Sequence, residues 1–122
     1  MQPELQVELP RSVTCAAEAR RVAGQWLADA VSARRRDNAL LVVSELVTNA
    51  YEHGEGRIEL KLRLVDDEVQ VEVTDEGQGS AVAIREQAIE EGGLGLKIVE
   101  QLSNRWGVYE GTTHVWAKLP ID

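Results

Sequence analysis

The 122-residue chain contains no phenylalanine, one cysteine and three prolines. A single thiol, Cys15, cannot form an internal disulfide, and no Cys/His grouping has the spacing of a closed zinc site. Long hydrophobic runs are missing as well. Stretches such as Ala39 to Val43 fall far short of the roughly 20 apolar residues that a membrane-spanning helix needs. The amino terminus, Met1-Gln-Pro-Glu4, has no basic end leading into an apolar stretch, so no secretory signal is expected there and a cytoplasmic setting is. Positive charge is scarce: 13 Lys and Arg stand against 21 Asp and Glu, a formal net charge of -8. That balance argues against direct nucleic-acid binding, which needs a basic face.

What is present suits an ordinary globular domain. Hydrophobic residues make up 43% and charged residues 28%, nothing repeats, and no low-complexity linker divides the chain, so residues 1–122 are expected to form one domain. Leu5-Gln-Val-Glu-Leu9 alternates and stops at Pro10, which predicts a first strand. Ser12 or Thr14 can cap a helix to about Val31, with Val13, Ala16, Ala17, Val22, Trp26 and Leu27 near its buried side. A second helix is expected from about Arg35 to His53, stopped at Gly54, whose missing Cβ suits a helix end. Ile58, Leu60, Leu62 and Leu64 then share one face of a strand. Val69, Val71 and Val73 share the matching face of the next, across a turn at Val65-Asp66-Asp67-Glu68. After a loop rich in Gly, Asp and Glu over residues 75–93, a helix starts near Leu94 and fades by Asn104. Trp106 to Tyr109 and Thr113 to Leu119 close the chain as strands. Antiparallel hairpins mixed with helices predict an α+β two-layer sandwich, a mixed, mostly antiparallel sheet with its helices on one face.

Three features do not fit a domain that only has to fold. Alternation from Val69 places Asp75 on the apolar side with Val71 and Val73, where a lone carboxylate is costly without a dedicated hydrogen-bond partner. The simpler account ends the strand at Val73 and lets Asp75 open a turn with Gly77. On the second helix Leu40, Val43, Val47 and Ala50 form the apolar stripe, while Glu45 and Asn49 sit one turn apart on the other side with His53 one turn further on. A carboxylate and an amide stacked this way can hold a hydrated Mg²⁺, orient a water or accept a proton; a solvated polar face would look the same. The apolar Leu41 and Val42 on that flank suggest that it too is covered. Finally, Gly92-Gly-Leu-Gly-Leu96 stands where a loop becomes a helix, and glycines there let backbone N–H groups approach an anion such as phosphate. No parallel strand leads into this cluster and no P-loop Lys follows it, which excludes the common dinucleotide and P-loop arrangements.

Taken in order, these segments resemble the GHKL ATPase superfamily of gyrase, heat-shock 90 chaperones, histidine kinases and mismatch-repair ATPases. Glu45-Leu-Val-Thr-Asn49-Ala-Tyr-Glu-His53 is similar to its N box, Asp75-Glu-Gly77-Gln-Gly79 to its Asp-x-Gly-x-Gly box, and Gly93-Leu94-Gly95-Leu96 to its second glycine box. Gly111-Thr112-Thr113 resembles the motif that opens the final strand. The resemblance implies the Bergerat-type ATP-binding fold with ATP and Mg²⁺ as ligands. It implies that Asp75 accepts from the adenine amino group and that Asn49 ligates the metal. Gly77 and Gly79 would leave room for the base, and Gly93, Leu94, Gly95 and Leu96 would carry N–H groups to the phosphates. His53 and Thr113 would complete the nucleotide-binding set, and residues 80–92 would form the lid.

Glu45 points to a branch. Histidine kinases usually carry Asn four residues before the metal-binding Asn, whereas branches that activate a water or a serine hydroxyl carry Glu, a candidate general base. With Asn104-Arg-Trp-Gly-Val108 and Thr113-His-Val-Trp-Ala-Lys-Leu119, the chain resembles freestanding anti-sigma-factor serine-protein kinases. The resemblance implies a protein that sequesters a sigma factor, phosphorylates a serine on an anti-anti-sigma partner, and forms a homodimer. A nucleotide-gated binding module without kinase activity and a detached histidine-kinase catalytic domain are the alternatives.

Overall fold

Five segments with an apolar residue at every second position are all strands of one sheet in the computed structural model of the protein. The structure describes residues 4–77, 94–108 and 114–121. Strands β1 (Glu4–Leu9), β2 (Ile58–Val65), β3 (Glu68–Thr74), β4 (Arg105–Val108) and β5 (Val115–Pro120) lie in the order β1-β2-β3-β5-β4. All four pairings are antiparallel, so the antiparallel majority expected of the sheet extends to every described strand. The register carries each apolar face onto the next: Val7 opposes Leu60, Leu60 opposes Val73, and Val73 opposes Val115, which opposes Val108. Directly opposed residues share a face, so these five make one continuous apolar row. The β2–β3 turn needs only Asp66 and Asp67, with Asp66 at φ 54°, a left-handed conformation that Asp tolerates better than most residues.

Among the described residues three helices cover that face: α1 (Cys15–Leu27), α2 (Ala33–His53) and α3 (Leu94–Leu102). Helix α1 buries Cys15, Ala19, Ala23 and Leu27, spaced by four. Of the residues expected on its buried side, Leu27 is buried, Ala16, Val22 and Trp26 are partly covered, and Ala17 and Val13 are exposed, Val13 by 84%. The physical reason is the starting point. The helix begins at Cys15, after Val13, and α2 selects the stripe of small residues against which it can pack closely. The chain leaves α1 at Leu27, earlier than expected, and Ser32 caps α2 by accepting from the Arg35 N–H at 3.3 Å.

Helix α2 is the centre of the helical layer. It lies against α1, α3 and strands β2, β3 and β5. Covered from three directions, it buries Ala39, Val42, Val43, Leu46, Val47 and Ala50, a stripe wider than the expected Leu40–Val43–Val47–Ala50 line and turned toward Val42 and Leu46. Arg20 of α1 donates to Ser44 Oγ at 2.8 Å, which puts α1 on the Ser44 flank. The sheet's other face is mostly polar, although Glu72 on it is 7% exposed, opposed by Trp116 and accepting from Gln70 Nε2 at 2.5 Å. Among the described residues no helix is long and apolar enough to cross a membrane.

The two packing assignments are separable by urea unfolding. Leu46→Ala should cost about 2–5 kcal/mol through lost burial and a residual cavity, whereas Val13→Ala should stay within about 0.5 kcal/mol of the parent. A comparable loss for both would contradict the exposed position of Val13.

Candidate functional site

The site begins where β3 stops. Thr74 is its last residue and Asp75 the first beyond it, half-buried. The strand is therefore one residue shorter than alternation through Asp75 expects. Asp75 Oδ1 accepts from the Gly77 N–H at 2.7 Å, closing an Asx turn, and from the Glu55 N–H at 3.3 Å. Both sequence readings hold in part: Asp75 opens a turn, and its carboxylate also has a dedicated partner, from a loop 20 residues upstream.

That loop comes close because Gly54 has no side chain. A Cβ there would overlap the Asp75 carboxylate and lie 2.6 Å from the Ala50 carbonyl oxygen. Gly54 itself is extended, at φ -97° and ψ -171°, so contact with Asp75, and not a left-handed helix end, is what requires glycine. Gly56 does take the left-handed region, at φ 67°, and a Cβ on it would run into Glu76. Two further bonds lace the segments: Glu76 N donates to Glu55 O at 2.7 Å, and Arg57 N donates to Glu76 Oε1 at 2.5 Å. The Arg57 backbone N–H, helped by the Arg57 guanidinium and opposed by burial, holds the Glu76 carboxyl below its ordinary value. Beside Asp75 a cleft of about 200 Å³ is lined by Glu8, Arg57, Glu59, Thr74 and Glu76. Its carboxylates outnumber its one cation, so this cleft repels phosphate.

The second half of the site is on α2. Glu45 and Asn49 are half-buried and one turn apart. Asn49 follows Val42 by seven residues and so projects about 20° from it around the helix axis, at the edge of the buried stripe. Among the described residues neither the Glu45 nor the Asn49 side chain has a hydrogen-bond or ion-pair partner. His53 is the last residue of α2, its Nε2 3.8 Å from Glu52 Oε2. Leu94, Gly95 and Leu96 form the first turn of α3, where a helix has N–H groups without intrahelical partners. Gly79, Gly93 and Thr113, with the expected lid at 80–92, lie outside the described residues.

The donor set can be tested against Mg²⁺. Among the described residues no three His, Cys, Asp or Glu side chains group as a metal cage. Glu45 and Asn49 offer oxygen donors, and Mg²⁺ takes one or two protein oxygens with waters and substrate phosphates, so the residues present fit it. Sequence reasoning missed Glu55 and Glu76, and took Gly54 for a helix stop. Glycines at both 54 and 56 were the available signal of a close approach. It also missed Arg11, whose partners lie 39 to 45 residues away.

The profile of the histidine kinase-like ATPase domain matches residues 9–119. The chain belongs to the histidine kinase-like ATPase family. Among solved structures, one of the RsbU and RsbW domains of Rv1364c from Mycobacterium tuberculosis is similar at 25% identity and a TM-score of 0.71. The match covers 97% of this chain and 32% of that one, so this ATPase domain spans about a third of its structural relative. Comparison with curated proteins gives no match. The resemblance to GHKL ATPases is borne out, and the likeness to a structure containing an RsbW domain supports the anti-sigma-kinase branch. The ATPase family implies ATP as ligand, and the two-layer α+β architecture agrees with its fold.

The Glu76 latch has a definite pH sign. Because its folded pKa is lowered from 4.5, its contribution is present above the ordinary carboxylate range and is lost as pH falls through the lowered value. Titration of the Glu76 carboxyl by NMR should give a midpoint below 4.5 that persists in Arg57→Ala, since the backbone N–H remains. A return to the ordinary value in that variant would show that the guanidinium, not the N–H, holds the latch.

Proposed function

We propose that this domain is an ATP-dependent serine/threonine-protein kinase of the anti-sigma-factor kind, acting in the cytoplasm as a single domain. It would sequester a sigma factor and phosphorylate a serine on an anti-anti-sigma partner. The observation that carries the reading is the Glu45–Asn49 pair: two half-buried oxygen donors one helical turn apart, without a protein partner among the described residues. Oxygens without a protein donor are available to a metal, a water or a hydroxyl proton. The likeness to the RsbW-containing structure supports the choice of partner class. Self-association is part of the proposal. β1 is an edge strand paired with β2 on one side, and a mass that grows with concentration in light scattering would support dimers.

Each residue has a separate task. Asp75, held by the Glu55 and Gly77 amides, accepts from the adenine amino group. Gly77 and Gly79 keep space beside the base, and His53 and Thr113 border the nucleotide. Leu94, Gly95 and Leu96 would bring the first N–H groups of α3 to the phosphates, with Gly93 assigned to the same set. Asn49 would hold Mg²⁺, which would supply neutralisation of the phosphate charge. Glu45 takes the proton of the partner's serine hydroxyl as that oxygen bonds to the γ-phosphorus and the bond to the ADP oxygen breaks.

Binding and turnover separate these tasks. Asp75→Asn should weaken ATP by about 1–3 kcal/mol, as when a charged acceptor is lost, and unchanged affinity in calorimetry would remove Asp75 from the base pocket. Asn49→Ala should lose metal-dependent ATP affinity and phosphate transfer together. Glu45→Ala should keep MgATP affinity within a few-fold and slow transfer roughly 10²–10⁴-fold, the reach of a general base. Transfer by that variant at the parent rate would reduce Glu45 to a solvated helix residue. A parent protein that binds ATP and transfers phosphate to no partner serine would instead be a nucleotide-gated binding module.

A further inference from the structure

We propose that Arg11 is a positioning residue that sets adenine recognition by clamping the end of α2 to the loop that holds Asp75. Arg11 lies in the link between β1 and α1, remote in sequence from everything it touches. Its Nε donates to Gly56 O at 2.7 Å, Nη1 to Tyr51 O at 2.9 Å and Nη2 to Ala50 O at 3.2 Å. Ala50 and Tyr51 are in the last turn of α2, where the helix dipole is negative, and the Ala50 carbonyl also accepts from the Gly54 N–H at 2.9 Å. Gly56 stands between the two residues whose amides fix the site: Glu55 N bonds Asp75 Oδ1 and Arg57 N bonds Glu76 Oε1. One planar guanidinium therefore sets the distance and angle between the helix end and the loop.

Charge and chemistry both point to that task. In a chain with 21 acidic residues, Arg11 forms no ion pair among the described residues and spends three nitrogens on backbone carbonyls. Lysine could not replace it, because an ammonium is a point donor and cannot hold three carbonyls in one plane. The bonds to Gly56 and Tyr51 are exposed and the one to Ala50 is part-buried, so urea unfolding of each variant separates positioning from stability. It acts on Asp75 through Glu55, and it rests on the reading of Asp75 as acceptor for the adenine amino group. Adenine presents an amino donor where guanine presents a carbonyl oxygen. A carboxylate held in place selects the first base and repels the second, and one that wanders loses the distinction.

The test is a double-mutant cycle on the full chain. MgATP and MgGTP affinities are measured by calorimetry for the parent, Arg11→Ala, Arg11→Lys, Asp75→Asn and the Arg11→Ala/Asp75→Asn double variant, with urea unfolding of each. Arg11→Ala should weaken ATP by about 5–50-fold and leave GTP within about 2-fold, with Arg11→Lys recovering only part of the loss. Since Arg11 acts through Asp75, the double variant should bind ATP within about 2-fold of Asp75→Asn alone. Unchanged ATP affinity in Arg11→Ala would overturn the proposal. So would losses that multiply in the double variant, or an equal loss for both nucleotides that tracks a fall in the urea midpoint. A parent that binds ATP but is indifferent to Asp75→Asn overturns the adenine reading itself, an outcome distinct from indifference to Arg11 alone.

Discussion

The end of α2 and the end of β3 meet with no space for a side chain between them. The Asp75 carboxylate lies against Gly54, and any Cβ at that position would overlap it. Most of the site's order follows from this contact. The loop after α2 must turn sharply to reach β2, so Gly56 takes a left-handed conformation, and the amides on either side of it then face the strand end. A carboxylate at the rim of an apolar layer is costly unless its oxygens are met by donors, and here two backbone N–H groups meet one of them. Backbone donors suit the purpose because they belong to the fold and cannot swing away.

Helix α2 brings the two halves of the site into one frame. Its buried stripe is wide because α1, α3 and the sheet all pack on it, and a helix held on three sides cannot rotate without exposing Val42, Leu46 or Val47. Glu45 and Asn49 stand at the edge of that stripe and take their direction from the core. Burial of residues such as Leu46, worth about 1.5–3 kcal/mol each, therefore aims two polar side chains as well as stabilising the domain. The same helix is capped by Gly54, so one rigid element fixes where Glu45 and Asn49 stand relative to Asp75.

Charge is placed to the same effect. The cleft lined by Glu8, Glu59, Asp75 and Glu76 turns away anions on one side of Asp75. The first turn of α3, in contrast, favours anions. An acidic protein can take up a polyanion this way, because the local field near a helix start outweighs a net charge spread over the surface.

Much of this was legible in the residues themselves. Period two in Ile58–Leu64 and Val69–Val73 determined the strands and their apolar face, since a half-buried sheet permits no other spacing. The order of Glu45 and Asn49, Asp75 and Gly77, then Gly93 and Gly95 carried the resemblance to the ATPase family that the domain match bears out. Helix faces were legible only in part. Which stripe of α1 is buried depends on α2, and no periodicity within α1 could show that Val13 precedes the helix and Cys15 begins it. Tertiary structure alone decided the rest. It gave Gly54 its purpose, brought Glu55 to Asp75 across 20 residues, and joined Arg11 to carbonyls 39 to 45 residues away. Backbone carbonyls and amides are the same at every position of a sequence, so a side chain bonded to them leaves no pattern until the fold sets the two ends side by side.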